Sequence, residues 1–573
     1  MQESALVSKQ ENDDELSSQI KGETMQASMM NSQLMISSIL THAEKNFPTT
    51  EMVSVTMDNP RHRQTYKTFA SRCRQLANSL NSLGAKFGDR IGTLAWNDYR
   101  HMELYYGVSG SGMVCHTINP KLFPEQVAYI INHAEDRFLF VDVLVMPLLE
   151  ALKDHLTKVE AIVVLTDKAN MPDTTLPNVL CYEELLSAQS DDFAWPEFDE
   201  NTASGMCYTS GTTGNPKGVV YSHRSTLLHA LAGGLPDVTG ASNMVTSLPV
   251  VPMFHVNAWG APYAALMVGT KLVLPGPKMA DGETLHSLMV AEEVTFSSGV
   301  PTIWLALLDY LEANNKTVPS LERVSVGGAA CPRIIVERFR EQHNAIVVQG
   351  WGMTETSPLG TIFSLKKGME NLSTSEITDL QCLQGRGVFG IEMCIVDENN
   401  EELPWDGVAF GALKVRGPWV AKGYYGLSEV PGAEGCPVDE KGWFETGDVA
   451  TINAEGYLQI TDRTKDVIKS GGEWISSIEI ENAAVNHADI AEAAVIGRTH
   501  PKWTERPLLI VVVQGGKSLT RNDVLEFLKD KLHKMAMPDD VVFVDELPHT
   551  ATGKLNKLGL RKTFEDYQFP GVG

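Results

Sequence analysis

The sequence predicts an α/β protein with a large N-terminal domain of layered α/β subdomains and a small, mobile α+β C-terminal domain. Its 573 residues are too many for one compact core and indicate more than one domain, and the hydrophobic content of 43% is ample for burial. Short apolar strands such as 138–141 and 161–165 alternate with helical stretches, which is typical of parallel α/β layering. The pattern changes near residue 466. We therefore predict a disordered acidic tail over 1–32, the N-terminal domain over 33–464 and the C-terminal domain over 465–573.

Composition excludes several classes of protein. The formal net charge of -25 makes a nucleic-acid backbone an improbable partner, so any anionic ligand needs locally placed cations. Eight cysteines without a Cys-x-x-Cys pair indicate reduced thiols and a cytoplasmic location. The first 24 residues lack the basic start and apolar core of a signal peptide, and runs such as 508–513 are too short to span a bilayer.

Periodicity places the elements in order. Apolar residues at helical spacing predict helices over 36–43 and 65–83, and the segment 89–96 is a predicted strand. A helix is expected to open at Ser222 to Ser225. Further predicted elements are a helix over 261–269, strands over 493–496, 508–513 and 541–544, and a helix over 521–533.

The segment from Tyr208 to Gly218, Tyr-Thr-Ser-Gly-Thr-Thr-Gly-Asn-Pro-Lys-Gly, predicts a phosphate-binding loop. Glycines let the backbone approach an anion, hydroxyl groups donate hydrogen bonds and a lysine supplies a cation. The spacing differs from the Walker loop, which disfavours a P-loop NTPase. The candidate phosphate-binding residues are Thr209, Ser210, Gly211, Thr212, Thr213, Gly214 and Lys217.

Later segments supply the other groups that a nucleotide site needs. The stretches 324–330 and 347–357 each predict a strand that runs into a Gly-rich turn, where Trp351 can stack on a purine and Glu355 can hold Mg²⁺. The segment 445–449 carries an acid suited to ribose hydroxyls, and 459–474 is rich in cations. A Gly-Lys loop over 547–557 is predicted to project from the C-terminal domain.

The apolar stretch 248–260 leaves two interpretations open. Small residues around Met253 and Trp259 can leave space for an apolar chain, or they can be ordinary core packing. His255 is equally open between a catalytic and a structural role. The small residues in question are Ala258, Gly260, Ala261, Ala264 and Ala265.

Taken together and in this order, the motifs resemble those of the adenylate-forming (AMP-binding) superfamily, which includes acyl-CoA synthetases, peptide-synthetase adenylation domains and luciferases. The resemblance runs from Leu34 to Lys562. It implies Mg²⁺ ligands at Thr209 and Glu355, a hinge at Lys465, and Lys554 as the catalytic lysine that bridges the carboxylate and the α-phosphate. Further implied contacts are Gly328, Ala329, Gln349, Gly350, Trp351, Gly352 and Thr354 for adenine and α-phosphate, Asp448 and Arg463 for ribose, and Lys469 with Trp474 for the thioester half-reaction.

A narrower likeness is to the bacterial medium- and long-chain fatty acyl-CoA synthetases, the branch that includes methylmercaptopropionate-CoA ligases. It is carried by the segments 61–63, 94–96, 116–120, 252–259 and 472–477. The resemblance implies that Trp259 gates an acyl tunnel, with Val256 and Gly328 also at the acid and His255 among the catalytic residues. This favours the channel over core packing. The branch also suggests a homodimer.

The resemblance implies an enzyme that uses ATP, Mg²⁺ and CoA to activate a medium- to long-chain fatty acid, releasing AMP and pyrophosphate. A short-chain or methylmercaptopropionate-CoA ligase is the alternative within the branch. Transfer to a carrier-protein thiol is less expected, since we expect no carrier domain after residue 573. Two other classes are a luciferase-like oxygenase and a nucleotide-binding regulator without catalysis. The presence of Lys217, Glu355, Asp448 and Lys554 argues against the regulator.

Overall fold

The computed structural model describes residues 27–209, 215–463, 465–470, 473–549 and 555–570, with only the backbone of residues 473 and 474. The strands are β1 Glu51–Ser54, β2 His62–Thr65, β3 Arg90–Leu94, β4 Val114–Thr117, β5 Phe138–Val141, β6 Ala161–Val164, β7 Val179–Cys181, β8 Ala203–Tyr208, β9 Gly218–Ser222, β10 Thr246–Pro249, β11 Lys271–Leu274, β12 Phe296–Gly299, β13 Arg323–Val326, β14 Ile346–Gly352, β15 Leu359–Ile362, β16 Arg386–Gly387, β17 Glu392–Val396, β18 Phe410–Arg416, β19 Phe444–Ile452, β20 Leu458–Arg463, β21 Ile468–Ser470, β22 Glu473–Ile475, β23 Ile490–His500, β24 Thr504–Val513 and β25 Asp540–Phe543.

The α-helices are α1 Ile36–Asn46, α2 Tyr66–Ser82, α3 Tyr99–Gly110, α4 Pro124–Ala134, α5 Met146–Leu152, α6 Tyr182–Ser187, α7 His223–Gly233, α8 Ala261–Val268, α9 Gly282–Ala291, α10 Pro301–Ala313, α11 Arg333–His343, α12 Thr374–Gln381, α13 Ser477–Val485, α14 Arg521–Leu528 and α15 Lys557–Thr563. The predicted start of α7 coincides with a capping box, in which Ser222 and Ser225 each accept a hydrogen bond from the other's backbone N–H. No helix within the described ranges is long and apolar enough to cross a membrane.

Two large sheets form the N-terminal part of the fold. The seven-stranded sheet has the order β7-β6-β5-β3-β4-β8-β9 and is parallel except for the β8–β9 pair. The nine-stranded sheet has the order β16-β15-β14-β13-β12-β10-β11-β1-β2 and is parallel from β14 to β1. In such sheets ligands bind beyond the carboxyl ends of the parallel strands. Here the loops after β10, β12 and β13 leave one edge together, so that edge is where a site is expected.

Two smaller sheets complete the molecule. Strands β17 to β20 form an antiparallel sheet, and β21 to β25 form a five-stranded sheet at the C-terminal end. The α/β class with a large N-terminal and a smaller C-terminal part is therefore confirmed. The predicted boundary at 464/465 and the mobility of the small domain stay predictions. Of the predicted tail over 1–32, residues 1–26 lie outside the described residues.

Some predicted elements were wrong in extent. The strands predicted over 493–496 and 508–513 are parts of the longer strands β23 and β24, because their pairing as a hairpin continues to His500 and Thr504 at the turn. The helix predicted to reach 533 ends at Leu528. The Gly-rich turn predicted near 350 is strand through Gly352, which pairs with β15. A Cβ on Gly352 would lie 1.8 Å from the Pro358 carbonyl oxygen, so only glycine allows this approach of the two chains.

Helix α3 is buried at every position and carries charged groups into the interior. Arg100 donates to Asp58 at 2.8 Å and to Glu183 at 2.8 Å, so these buried charges are paired. Asp98, which caps α3 by accepting from the His101 N–H at 3.0 Å, is only 2% exposed. Burial raises the pKa of Asp98 to about 7.

The burial of Asp98 predicts that the free energy of unfolding depends on pH. The native protein keeps Asp98 protonated up to about pH 7, whereas the unfolded chain ionises it near 3.8, so rising pH between those values favours unfolding. Asp98→Asn keeps a cap oxygen and removes the titration. We expect the variant's stability relative to wild type to increase from pH 5 to pH 7, by at most about 1.4 kcal/mol per pH unit, and to level off above. Urea unfolding at a series of pH values measures it.

Asp281→Asn is the matched control, since Asp281 caps α9 from an exposed position and its hydrogen bonds to Thr284 lower its pKa. Its stability difference from wild type should not change between pH 5 and pH 8. A flat profile for Asp98→Asn as well would contradict the buried, protonated state of Asp98.

Candidate active site

A cavity of about 1200 Å³ opens at the edge where the loops after the parallel strands meet. Its wall combines residues of both large sheets with residues that follow β20 and residues that begin α15. Many residues assigned from the sequence are brought together there. Those that line the cavity are Thr209, Lys217, His255, Val256, Trp259, Gly328, Gly350, Trp351, Gly352, Thr354, Glu355, Arg463 and Lys465.

The phosphate loop closes between the antiparallel strands β8 and β9. At its base the Thr209 N–H donates to the Lys217 carbonyl oxygen at 2.9 Å, and the Lys217 N–H donates to Thr209 Oγ1 at 3.2 Å. This pairing holds both residues on the cavity wall. The other predicted phosphate ligands, Ser210, Gly211, Thr212, Thr213 and Gly214, lie outside the described residues.

Glu355 lies on a short turn of 3₁₀ helix, Thr354–Thr356, directly after β14. It is 6% exposed, and burial raises the pKa of its carboxyl group. The Tyr424 hydroxyl donates to Glu355 Oε1 at 2.6 Å, which satisfies one carboxylate oxygen. Thr209 lines the same cavity, so a metal ion there would meet the oxygen atoms of a carboxylate and a hydroxyl group. Oxygen is the ligand type that Mg²⁺ prefers.

Tyr424 connects this carboxylate to the phosphate loop. The Lys217 ammonium lies 4.7 Å from the centroid of the Tyr424 ring, a cation–π contact. The neighbouring Tyr425 N–H donates to the Gly218 carbonyl oxygen at 2.8 Å. Sequence reasoning missed both tyrosines, although the pair of aromatic residues between Gly423 and Gly426 was a visible signal.

On the nucleotide side, Trp351 is fixed by its indole N–H, which donates to Asp448 Oδ2 at 2.8 Å. Arg463 pairs with the same carboxylate at 2.7 Å. Asp448 is 2% exposed and does not itself line the cavity. The predicted ribose acid is therefore engaged by two other predicted site residues, and its contact with a ribose stays a prediction.

Two further residues predicted to contact the nucleotide are not on the cavity wall. Gln349 is fully buried on β14, and neither polar atom of its side chain has a hydrogen-bond partner among the described residues. Ala329 is exposed beyond β13 and is not among the lining residues described. Their predicted roles stay predictions.

Trp259 ends a strained backbone segment. The four residues Val256 to Trp259 have φ values of 45°, 52°, 47° and 56°, which is the left-handed region. This conformation costs roughly 1–2 kcal/mol for each residue with a side chain and persists only where surrounding contacts impose it. Asn97 provides such contacts, because its side chain donates to the Pro249 and Val251 carbonyl oxygens and accepts from the Met253 N–H.

Tyr105 adds a second contact by donating to the Met253 carbonyl oxygen at 2.5 Å, and it also contacts Asn257 Oδ1 at 3.2 Å. The resulting turn places the Trp259 indole against Gly327, where a Cβ would lie 2.8 Å from the ring. Trp259 therefore lies beside the loop that follows β13, within the cavity wall.

The small residues expected to line a channel are not among the lining residues described for the cavity. Ala258, Ala264 and Ala265 belong to the main hydrophobic core with Met253. A Cβ on Gly260 would lie 2.6 Å from the His229 ring, so glycine serves close packing there. The structure does not support the channel interpretation for this helix, and the apolar part of the cavity is lined by other residues, among them Gly233, Val238, Leu359 and Ile362.

The C-terminal part of the chain contributes cations. Lys465 lines the cavity and burial lowers its pKa. Lys557 and Arg561, at the first turns of α15, also line it, and they pair with Glu481 and Asp466 respectively. Lys557 was predicted as loop, whereas it begins a helix capped by Asn556.

The residues implied for catalysis by the C-terminal part are less fully placed. Lys469 is exposed, donates its backbone N–H to Glu505 Oε2 at 3.0 Å and is not among the lining residues described. Lys554 and the Trp474 side chain lie outside the described residues, although Leu555, directly after Lys554, lines the cavity.

A model of the AMP-binding enzyme family matches residues 40–425. The chain belongs to this family. A model described as the AMP-binding enzyme C-terminal domain matches residues 479–554, so the family predicted from the motifs is confirmed.

Similar proteins of the family include a 3-methylmercaptopropionyl-CoA ligase of Ruegeria lacuscaerulensis, 49% identical over 95% of this chain and 99% of the relative. A medium-chain-fatty-acid–CoA ligase of Ectopseudomonas oleovorans is 46% identical over 95% of this chain and 98% of the relative. A solved structure of the anthranilate CoA ligase AuaEII in complex with anthranoyl-AMP superposes with a TM-score of 0.81 at 24% identity, covering 94% of this chain and 99% of that one. The last comparison supports the fold.

The contact of Tyr424 with Glu355 predicts a defect in a minimal variant. Tyr424→Phe keeps the ring beside Lys217 and removes the hydrogen bond to the buried carboxylate, a loss of about 1.5–3 kcal/mol for a charged acceptor. We expect kcat/KM for ATP, measured where the variant is fully folded, to fall by roughly 10- to 100-fold.

Tyr457→Phe is the control, since the Tyr457 hydroxyl also donates a 2.8 Å hydrogen bond, to the Ser364 carbonyl oxygen, and is not on the described cavity wall. Its kcat/KM should stay within about two-fold of wild type, because it loses a comparable neutral bond away from the site. Equal kinetics for both variants would contradict the role of Tyr424.

Proposed function

We propose that this member of the AMP-binding enzyme family is an ATP-dependent, AMP-forming acyl-CoA synthetase that acts on a medium- to long-chain fatty acid. The supporting observation is one cavity whose wall combines the phosphate-loop residue Lys217, the carboxylate of Glu355 and apolar residues, among them Val238, Leu359 and Ile362. Formation of an acyl-adenylate needs all three environments at once, for the pyrophosphate that leaves ATP, for the α-phosphate and for the tail of the acid. The volume of about 1200 Å³ is above the usual range for small-molecule sites and suits a nucleotide with a tail.

The first half-reaction follows from these groups. A carboxylate oxygen of the acid attacks the α-phosphorus of ATP, the bond to the bridging oxygen breaks, and pyrophosphate leaves. Negative charge grows on the α-phosphoryl oxygens, so cations aimed at them lower the barrier. We assign Lys217, which lines the cavity, to the leaving phosphates and Lys554 to the α-phosphate. Mg²⁺, held by Glu355 and Thr209, would neutralise phosphate charge when bound.

In the second half-reaction the CoA thiol attacks the acyl carbonyl carbon of the adenylate, and AMP leaves as the thioester forms. We propose that the C-terminal domain turns about Lys465 between the two half-reactions. This is supported by the positions of two segments. Residues directly after Lys554 line the cavity, whereas Lys469, assigned to the thioester half-reaction, is outside the described wall.

A second candidate is a methylmercaptopropionate-CoA or short-chain ligase. It is favoured by the relative at 49% identity, whose name states that activity. The two candidates share the chemistry and differ in the tail, and the apolar lining at Val238, Leu359 and Ile362 favours the longer acid. A homodimer and a cytoplasmic location remain expectations from the sequence.

A product analysis tests the proposal. The purified protein is incubated with ATP, Mg²⁺, CoA and each acid of a panel from propionate and methylmercaptopropionate to palmitate, and nucleotides and thioesters are separated by chromatography. We expect AMP, pyrophosphate and acyl-CoA in equal amounts, with the highest kcat/KM for a medium- or long-chain acid and none of these products after Mg²⁺ is chelated.

Reactions that lack the acid are the control for hydrolysis of ATP alone. Formation of ADP and phosphate with the thioester would contradict the proposal, because it would place the attack at the γ-phosphorus. A preference for methylmercaptopropionate would favour the second candidate.

A further inference from the structure

We infer that the absence of a side chain at Gly233, at the end of α7, lets the cavity accept a long acyl tail. The inference rests on the proposed function and names the residue that decides which acids it serves. Gly233 is buried and lines the cavity. A Cβ built on it would meet no atom within 4 Å. Because the residue is buried, this open space is internal, and it is the space of the cavity itself.

Other glycines on the cavity wall have a backbone or packing reason to be glycine. A Cβ on Gly327 would meet the Trp259 indole at 2.8 Å, and one on Gly350 would meet the Thr361 carbonyl oxygen at 2.8 Å. Gly328 has a φ of 78°. Gly233 has neither a clash nor a left-handed φ, so the described structure around it would accept a larger residue.

The helix itself does not require glycine at position 233. Glycine within a helix is less favourable than alanine by about 1 kcal/mol. The helix-ending role does not require it either, because the cap residue is Gly234, which has a right-handed φ of -77°. What the absent side chain at 233 does provide is room in the cavity.

The loop that follows α7 fixes this end of the cavity. Both the Thr239 N–H and the Thr239 hydroxyl donate to the Gly233 carbonyl oxygen, at 3.1 Å and 2.7 Å. The Thr239 carbonyl oxygen accepts from the Arg323 guanidinium. Val238 and Thr239 line the cavity together with Gly233, so the wall there is held by hydrogen bonds and cannot simply recede before a longer tail.

The position also suits the path of a tail. Trp259 and Gly328 line the cavity at the loop after β13, whereas Gly233 and Val238 line it at the end of α7, beside Leu359 of β15. A tail attached to an adenylate at the first group of residues extends past Trp259 toward the second. A side chain at 233 would therefore meet the distal carbons of a long tail and spare a short one.

The test compares wild type with Gly233→Ala and Gly233→Leu on straight-chain acids from butanoate to hexadecanoate, with kcat/KM for acyl-CoA formation as the readout. For Gly233→Leu we expect at least a roughly 10-fold loss on the longest acid that wild type uses and a change within about two-fold on the shortest, since a single methylene group in a filled pocket is worth about that much. For Gly233→Ala, kcat/KM on the longest acid should lie between the values of wild type and Gly233→Leu.

Gly234→Leu and Gly234→Ala are the matched controls, because Gly234 is the next residue, is not on the described cavity wall, and would place its Cβ in ordinary contact, 3.5 Å from the Ala230 carbonyl oxygen. They should keep the wild-type ranking of acids. Thermal unfolding verifies that each variant is folded. Calorimetric titration with butanoyl- and dodecanoyl-sulfamoyladenosine then compares the affinity of each variant for a short and a long tail without turnover.

The outcomes separate the two claims. If wild type forms no acyl-CoA from any acid, the proposed function fails and the inference fails with it. If wild type is active and Gly233→Leu keeps the wild-type ranking, or loses activity equally on all acids in both assays, the inference alone is overturned.

Discussion

The segment from Ala421 to Tyr425 links the nine-stranded and the seven-stranded sheet at the cavity, and the arrangement of the site depends on it. The Ala421 N–H donates to the Glu355 carbonyl oxygen at 2.8 Å, which ties the segment to the end of β14. The Tyr425 N–H holds Gly218 at the start of β9. Between them, Tyr424 contacts both the Glu355 carboxylate and the Lys217 ammonium. The phosphate loop and the carboxylate expected to hold a metal come from different sheets, and this short segment sets the distance between them.

A second constraint is the left-handed turn that presents Trp259. Four adjacent non-glycine residues with a left-handed backbone store roughly several kcal/mol of strain. Such strain persists where a functional site fixes the position of a side chain. Buried hydrogen bonds from Asn97 and Tyr105 hold the turn. The turn puts the indole against Gly327 in the loop after β13. The position of the Trp259 side chain thus depends on contacts with residues far from it in the sequence.

These two features also mark where sequence reasoning stopped. The phosphate loop and the Ser222 cap of α7 could be predicted because the residues that define them are neighbours in the chain. The role of Tyr424 was missed, because it follows from the hydrogen bond to Glu355, 69 positions away. Composition and the family resemblance made the helix from Ala261 a candidate channel wall, whereas its residues Ala264 and Ala265 pack in the main hydrophobic core. Gly233 carried no sequence signal at all, since a glycine at a helix end is ordinary until the space beside it is known.

The central claim is that this site forms an acyl-adenylate before CoA takes part. It is tested most directly by the exchange of labelled pyrophosphate into ATP without CoA. We expect exchange that requires the acid in wild type and in Lys469→Ala, and a loss of about 10²- to 10³-fold in Lys554→Ala, by analogy with the removal of one donor from a developing oxyanion. Exchange that requires CoA, or an equal loss in both lysine variants, would contradict the account.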